Sequence, residues 1–166
     1  MLVCSSSPRR SGPLSEIVPL YTRLPPSTPE AIDKVRILAE GLATLPQIPF
    51  VTEHLLHGGM YTRTIRLPEG VVCAAVLIRP PTVLIVMGEV DVWSNDELIR
   101  TSGYSVLPGS AGRKIAFTTH SDVAMSMIFP TAATTVDEAQ REFTDEHELL
   151  VPLERADAHE VLITGE

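Results

Sequence analysis

Residues 86–113 read VMGEVDVWSNDELIRTSGYSVLPGSAGR. The runs Val90-Asp91-Val92-Trp93 and Tyr104-Ser105-Val106-Leu107 are rich in β-branched and aromatic residues with a polar residue between apolar ones. A period of two belongs to strands with one face turned inward. Ser94-Asn95-Asp96 and Pro108-Gly109-Ser110 bound the runs with residues that accept turn backbone angles. The stretch therefore predicts consecutive short strands joined by tight turns, the pattern of an all-β sandwich or barrel.

The same pattern continues on both sides. Strands are expected over Tyr61 to Leu67, Val71 to Ile78, Thr82 to Met87, Glu89 to Trp93, Glu97 to Thr101, Tyr104 to Leu107, Lys114 to Thr119 and Val123 to Phe129. Turns are expected at Pro68-Glu69-Gly70, Ser94-Asn95-Asp96 and Pro108-Gly109-Ser110. Strands of this number and length predict a mainly β, single jelly-roll barrel.

The flanks differ. Residues 1–26 are rich in Ser, Pro and Arg and read as an arm without a core of its own, either mobile or docked on a partner. Residues 27–50 hold a helix and connector. Thr28 is the predicted cap, Pro29 suits the first turn and Glu30 faces the positive end of the helix dipole. Ile32, Val35, Leu38, Ala39 and Leu42 form one apolar stripe to about Leu45, for a sheet or a second subunit. The barrel is expected over residues 51–132, and a C-terminal helix and tail over 133–166. Thr135 and Glu138 have capping-box spacing, opening a helix near Val136 to Glu142 that either stops there or continues to Leu150.

Composition narrows the function classes. The chain has 166 residues, 44% of them hydrophobic, enough for one domain with a substantial core. A formal charge of −8 and a pI near 5.1 argue against a nucleic-acid groove, which needs a concentrated basic face. Apolar runs fall well short of the roughly 20 residues that span a bilayer. Cys4 and Cys73 lie in dissimilar settings and do not suggest a disulfide framework, so a reducing, cytosolic origin is expected.

Gly88-Glu89 after an apolar strand, the charged turn at Asn95 to Glu97, and Gly103 leading to Pro108-Gly109 resemble the cupin sequence pattern. A narrower resemblance covers roughly residues 43–145. Leu45-Pro46-Gln47, Glu53-His54, the run Gly59 to Ile65 followed by Pro68-Glu69-Gly70, and His120-Ser121-Asp122 are similar to a family of small cupins encoded by tailed bacteriophages and prophages. The resemblance implies a cupin-type barrel and a bacterial host cytoplasm, or a phage virion, as the location. Cupin metal sites place histidines and a carboxylate before the central glycine and a further histidine after the second motif. Here those positions hold Ala75, Leu77, Pro81 and Arg113, none of which replaces imidazole or carboxylate as a ligand. No metal and no cofactor are therefore expected.

Two sets of polar residues remain as candidates. Arg63, Arg79 and Arg113 form a candidate anion pocket, because a guanidinium aimed into a barrel mouth recognises carboxylate or phosphate with paired hydrogen bonds. The plainer reading turns Arg113 outward or pairs it with Glu89, Asp91 or Glu97. His54, His57 and His120 are the weaker alternative, a relocated metal site; otherwise His54 and His57 hydrogen-bond a loop leading into the first strand. Cys73 sits among Val71, Val72, Ala74 and Ala75 and reads as core. Trp93 and Tyr104 read as barrel lining or ordinary packing. Ser105 and Ser110 lack a nucleophile-elbow pattern.

The reading these features favour is a non-enzymatic, metal-free binding or assembly protein, with a capsid decoration or head-to-tail accessory protein as the virion form. A homo-oligomer with an interface involving residues 1–50 is expected, with other phage structural proteins as further partners and neither nucleic acid nor membrane among them. One alternative is a small-molecule enzyme, an isomerase, epimerase or dioxygenase of cupin type, with His57 or His120 and Tyr61 or Tyr104 as acid and base. Another is a small-molecule sensor or anti-defence protein.

Overall fold

The computed structural model describes residues 22–150 and 159–164. Most of the expected arm, including Cys4, and much of the tail lie outside the described residues.

Helix α1 spans Pro29–Ala43. The Thr28 side chain accepts the Ala31 N–H at 3.2 Å, and Pro29 in the first turn lacks only an N–H the helix does not use. The helix is anchored at this end by the next most local structure, a two-residue hairpin. Strands β5 (Val90–Ser94) and β6 (Glu97–Thr101) are joined by Asn95 and Asp96, at φ 49° and 66°. That turn suits the twist of the pair, and short polar side chains tolerate it. Asn95 Oδ1 then accepts the Thr28 N–H at 2.9 Å, and Asp96 takes Lys34 Nζ at 2.7 Å.

The remaining strands are β1 (Val51–His57), β2 (Met60–Leu67), β3 (Val72–Ala74), β4 (Thr82–Met87), β7 (Tyr104–Gly109), β8 (Ala116–Thr119), β9 (Val123–Pro130) and β10 (His159–Thr164). They form a six-stranded sheet, β10-β1-β2-β9-β4-β7, and a four-stranded sheet, β3-β8-β5-β6. All neighbours run antiparallel except β10, which runs parallel to β1. Between the sheets lie Leu84, Val86, Val90, Val92, Leu107, Phe117 and Met125, each almost fully buried. The expected mainly β jelly-roll barrel with flanking helices is the fold observed.

Several elements correct the sequence reading. Residues 51–57, expected as a loop, form β1. Its inward residues are Thr52, His54 and Leu56, while Val51 and Leu55 are exposed, so polarity does not follow burial there. The expected Val71 to Ile78 strand keeps its ladder only at Val72–Ala74 and continues as single contacts, Ala75 N–H to Ile115 O and Ile78 N–H to Arg113 O. Pro108 and Gly109 belong to β7 rather than a turn, because β7 is a sheet edge where proline's missing N–H costs little. Trp93 and Tyr104 are exposed, not barrel lining.

The described end of the arm docks on its own barrel. Leu24 is fully buried, donates to Pro108 O and accepts from Ser110 N–H, both at 2.9 Å, and so covers the β7 edge. At the other end, Thr135 and Glu138 make the expected capping box and open α2 (Val136–Phe143). The helix stops there, and a short 3-10 turn follows at His147–Leu150.

Candidate functional site

Alternation along β2 turns Tyr61, Arg63 and Leu67 inward. Arg63 is 5% exposed. Its Nη2 donates to Leu150 O at 3.2 Å, and its Nη1 is buried without a partner. Directly opposite on β1 stands His54, also buried, whose Nδ1 lies 2.8 Å from the Tyr61 hydroxyl. The Tyr61 ring meets Phe129 edge-on at 5.4 Å, and Phe129 stacks on Phe143 at 5.7 Å. Burial raises the Tyr61 pKa, with the Arg63 charge opposing it, and burial lowers that of Arg63.

Arg63 borders a cavity of about 340 Å³. Ala39 and Leu42 of α1 roof part of it, Phe50 and Ile65 form one wall, and Cys73 and Ala75 form another. Among the described residues, Arg63 and Cys73 are the ionisable side chains on the wall. Burial pushes the Cys73 thiol up to about 11, so it is protonated near neutral pH. Gln47, which also borders the cavity, spends its amide N–H groups on Leu42 O and Leu45 O.

The three arginines singled out from the sequence do not converge here. Arg79 is half-exposed and pairs with Asp145 at 2.8 Å. Arg113 is fully buried, neither outward nor paired with Glu89, Asp91 or Glu97. Its guanidinium donates to Ser110 O at 2.7 Å and to Thr82 Oγ1. Burial lowers its pKa to about 10. Of the three, Arg63 alone lines the cavity.

The histidines are separated as well. On a strand, residues three apart face opposite sides, so His54 points inward and His57 outward. His57 Nδ1 meets Thr164 Oγ1 across β10. His120 follows β8 in the other sheet, 3.2 Å from Asp91. Among the described residues no three His, Cys, Asp or Glu side chains gather as a metal site. The acid-base pairings expected from His57 or His120 with a tyrosine are not formed; His54 is the histidine that meets Tyr61.

The four positions singled out from the resemblance are spread over different surroundings. Ala75 borders the cavity, and Leu77 contributes only a backbone N–H, which Glu146 Oε2 accepts at 2.8 Å. Pro81 has no donor atom, and Arg113 brings a positive charge.

A feature sequence reasoning missed lies beside them. Lys114 is buried and its Nζ is 2.6 Å from Glu146 Oε2. Strand alternation alone would have turned Lys114 either way, and Glu146 comes from a segment with no periodic signal.

No protein-family model matches the chain, and no curated protein matches it. Among solved structures it is similar to a cupin superfamily protein from Desulfitobacterium hafniense at 16% identity, covering 52% of this chain and 82% of that one, with a TM-score of 0.44. A cupin 2 conserved barrel domain protein from Salinispora arenicola is similar at 14% identity over 60% and 92%, TM-score 0.45. KdgF from Halomonas sp. is similar at 14% over 51% and 78%, TM-score 0.41. Among the described residues no helix is long and apolar enough to cross a membrane.

Proposed function

We propose that the protein is a non-enzymatic, metal-free binding barrel that holds a small, largely apolar molecule between α1 and the inner faces of β2 and β3. The observation that carries this reading is the cavity of about 340 Å³, a ligand-sized space walled mainly by aliphatic side chains. A reaction at its wall would need a group that gains or loses a proton near neutral pH. The ionisable groups there are a guanidinium and a protonated thiol, and neither serves as a general base.

Titration with a neutral, apolar fluorescent probe tests it. Wild-type protein is expected to bind one equivalent, Ala75→Phe to lose binding, and Ile37→Ala, at an exposed position of α1, to keep it. Equal binding by Ala75→Phe and wild type overturns the reading.

The assembly role is a second proposal, and one observation favours it. Val161, Leu162 and Ile163 of β10 are all more than half exposed, although β10 ends its sheet. Sheet extension through this edge by a second copy would build the homo-oligomer that a phage structural component requires. Light scattering with sizing is expected to show an oligomer that Leu162→Lys dissociates, and mass spectrometry of purified particles to detect the chain. A wild-type monomer, or absence from the particles, counts against that role.

A further inference from the structure

We infer that the molecule held in the cavity is a monocarboxylic acid with an aliphatic body, its carboxylate seated on Nη1 of Arg63. The inference rests on the binding role proposed above and assigns the chemical class of the ligand.

The first support is the charge environment. The chain carries 21 carboxylate side chains against 13 Lys and Arg, so acidic partners are plentiful. Arg36, Arg66, Arg79, Arg100 and Arg141, all at the surface, each have a carboxylate within 4.0 Å. Arg63, nine-tenths buried, has none among the described residues. Burying a cation without a counter-charge is costly, and the attraction of an incoming anion is strongest where water is excluded.

The second support is an unused donor on a residue of the cavity wall. One arm of the guanidinium is fixed by Leu150 O and the Tyr61 hydroxyl acts on the group as well, while Nη1 is buried without a hydrogen-bond partner on a residue that borders the cavity. Arg113 also lacks a carboxylate, but it does not border the cavity, and Ser110 O and Thr82 Oγ1 occupy both its terminal nitrogens. Arg113 Nε is buried without a partner too, so what separates the two arginines is position: Arg63 borders the cavity and Arg113 does not.

The remaining wall selects the rest of the molecule. Phosphate would bring further charge and acceptors, with one open donor to meet them. A sugar would leave its hydroxyls against Leu42, Ile65 and Ala75 without partners. A single carboxylate on an aliphatic chain satisfies Nη1 and gives the apolar wall an apolar surface.

Calorimetric titration of the full chain with octanoate and with octanol tests this, since the two share a tail and differ in the head. Wild type is expected to bind octanoate about tenfold or more tighter than octanol, as a charge-assisted hydrogen bond in a dry site would give. Arg63→Met is expected to lose that preference while keeping octanol affinity. Equal affinity of wild type for both ligands overturns the inference and leaves the binding role standing, and so does a preference that survives Arg63→Met. Binding of neither overturns both. The wild-type comparison needs no variant, so it decides the matter even where Arg63→Met does not fold.

Discussion

The guanidinium of Arg113 lies on the bare backbone of Gly109. A Cβ added to Gly109 would stand 2.4 Å from Arg113 Cζ and 2.7 Å from its Nη1. Glycine is required here for space, so that a large cation fits beneath the β7 edge that Leu24 covers. Gly109→Ala is expected to destabilise the fold by about 2 kcal/mol through overpacking. In an Arg113→Ala background the same change should cost much less. Urea unfolding of the two single variants and the double variant measures the coupling, and additive losses would remove the steric explanation.

Gly88 is constrained in two ways at once. Its φ is 121°, and a Cβ there would come within 2.5 Å of Val123 Cγ1 and 2.7 Å of Asp122 O. Side chain and backbone both block relief, unlike at Gly109, where one flexible side chain is the obstacle. Gly88→Ala is therefore expected to cost more than Gly109→Ala, about 3 kcal/mol or above. Melting temperatures of the two variants side by side give the comparison, and the reverse order contradicts it.

Buried Lys114 and half-buried Glu146 make a contact that holds a charge inside the fold. Burial raises the Glu146 pKa, but hydrogen bonds from Lys114 and the Leu77 N–H, with the charges of Lys114 and Arg36, outweigh it and hold the carboxyl below its ordinary value of 4.5. A depressed carboxyl contributes stability above its unfolded pKa and loses it as pH falls through the folded one. Wild-type stability is thus expected to decline below about pH 4.5 with a slope that Glu146→Gln reduces. At neutral pH Glu146→Gln removes the counter-charge of the buried Lys114 ammonium, at a cost of about 1–2 kcal/mol. Denaturant unfolding across the acidic range reads both effects. An unchanged slope would mean the contact is not formed in solution.

The barrel was legible because its central strands keep strict alternation. In β4, Thr82, Leu84 and Val86 are buried while Val83 and Met87 are exposed, and the run reads correctly from its length and flanking turns. In β1 the sign of the pattern fails, since Thr52 and His54 point inward and Val51 and Leu55 outward. Nothing local distinguishes that from a polar loop, and so the Tyr61–His54 contact was hidden. Arg63 could be found because it is in phase with Tyr61 and Leu67. Its separation from Arg79 and Arg113 could not, because it depends on where Asp145, Ser110 and Thr82 arrive in space. The cavity itself arises from the small residues Cys73, Ala74 and Ala75 facing a helix that stays half-buried, a long-range arrangement without a sequence signature.

Cys73 supplies an internal reporter for that cavity, since its side chain forms part of the wall. Burial moves its pKa from 9.0 to about 11, which lowers the thiolate fraction near neutral pH about hundredfold. In a Cys4→Ser background, alkylation of the native chain is expected to run at least that much slower than in urea, and to accelerate as pH rises. Occupancy adds a second barrier, because a ligand in the cavity excludes the reagent from the wall. Octanoate should slow the reaction further in wild type, and Arg63→Met should need about tenfold more octanoate for the same slowing. Octanoate leaves the thiol pKa nearly unchanged when it binds elsewhere, so a slower rate would then be absent. Native alkylation as fast as in urea would show instead that Cys73 is open to solvent and that the cavity wall is not formed as described.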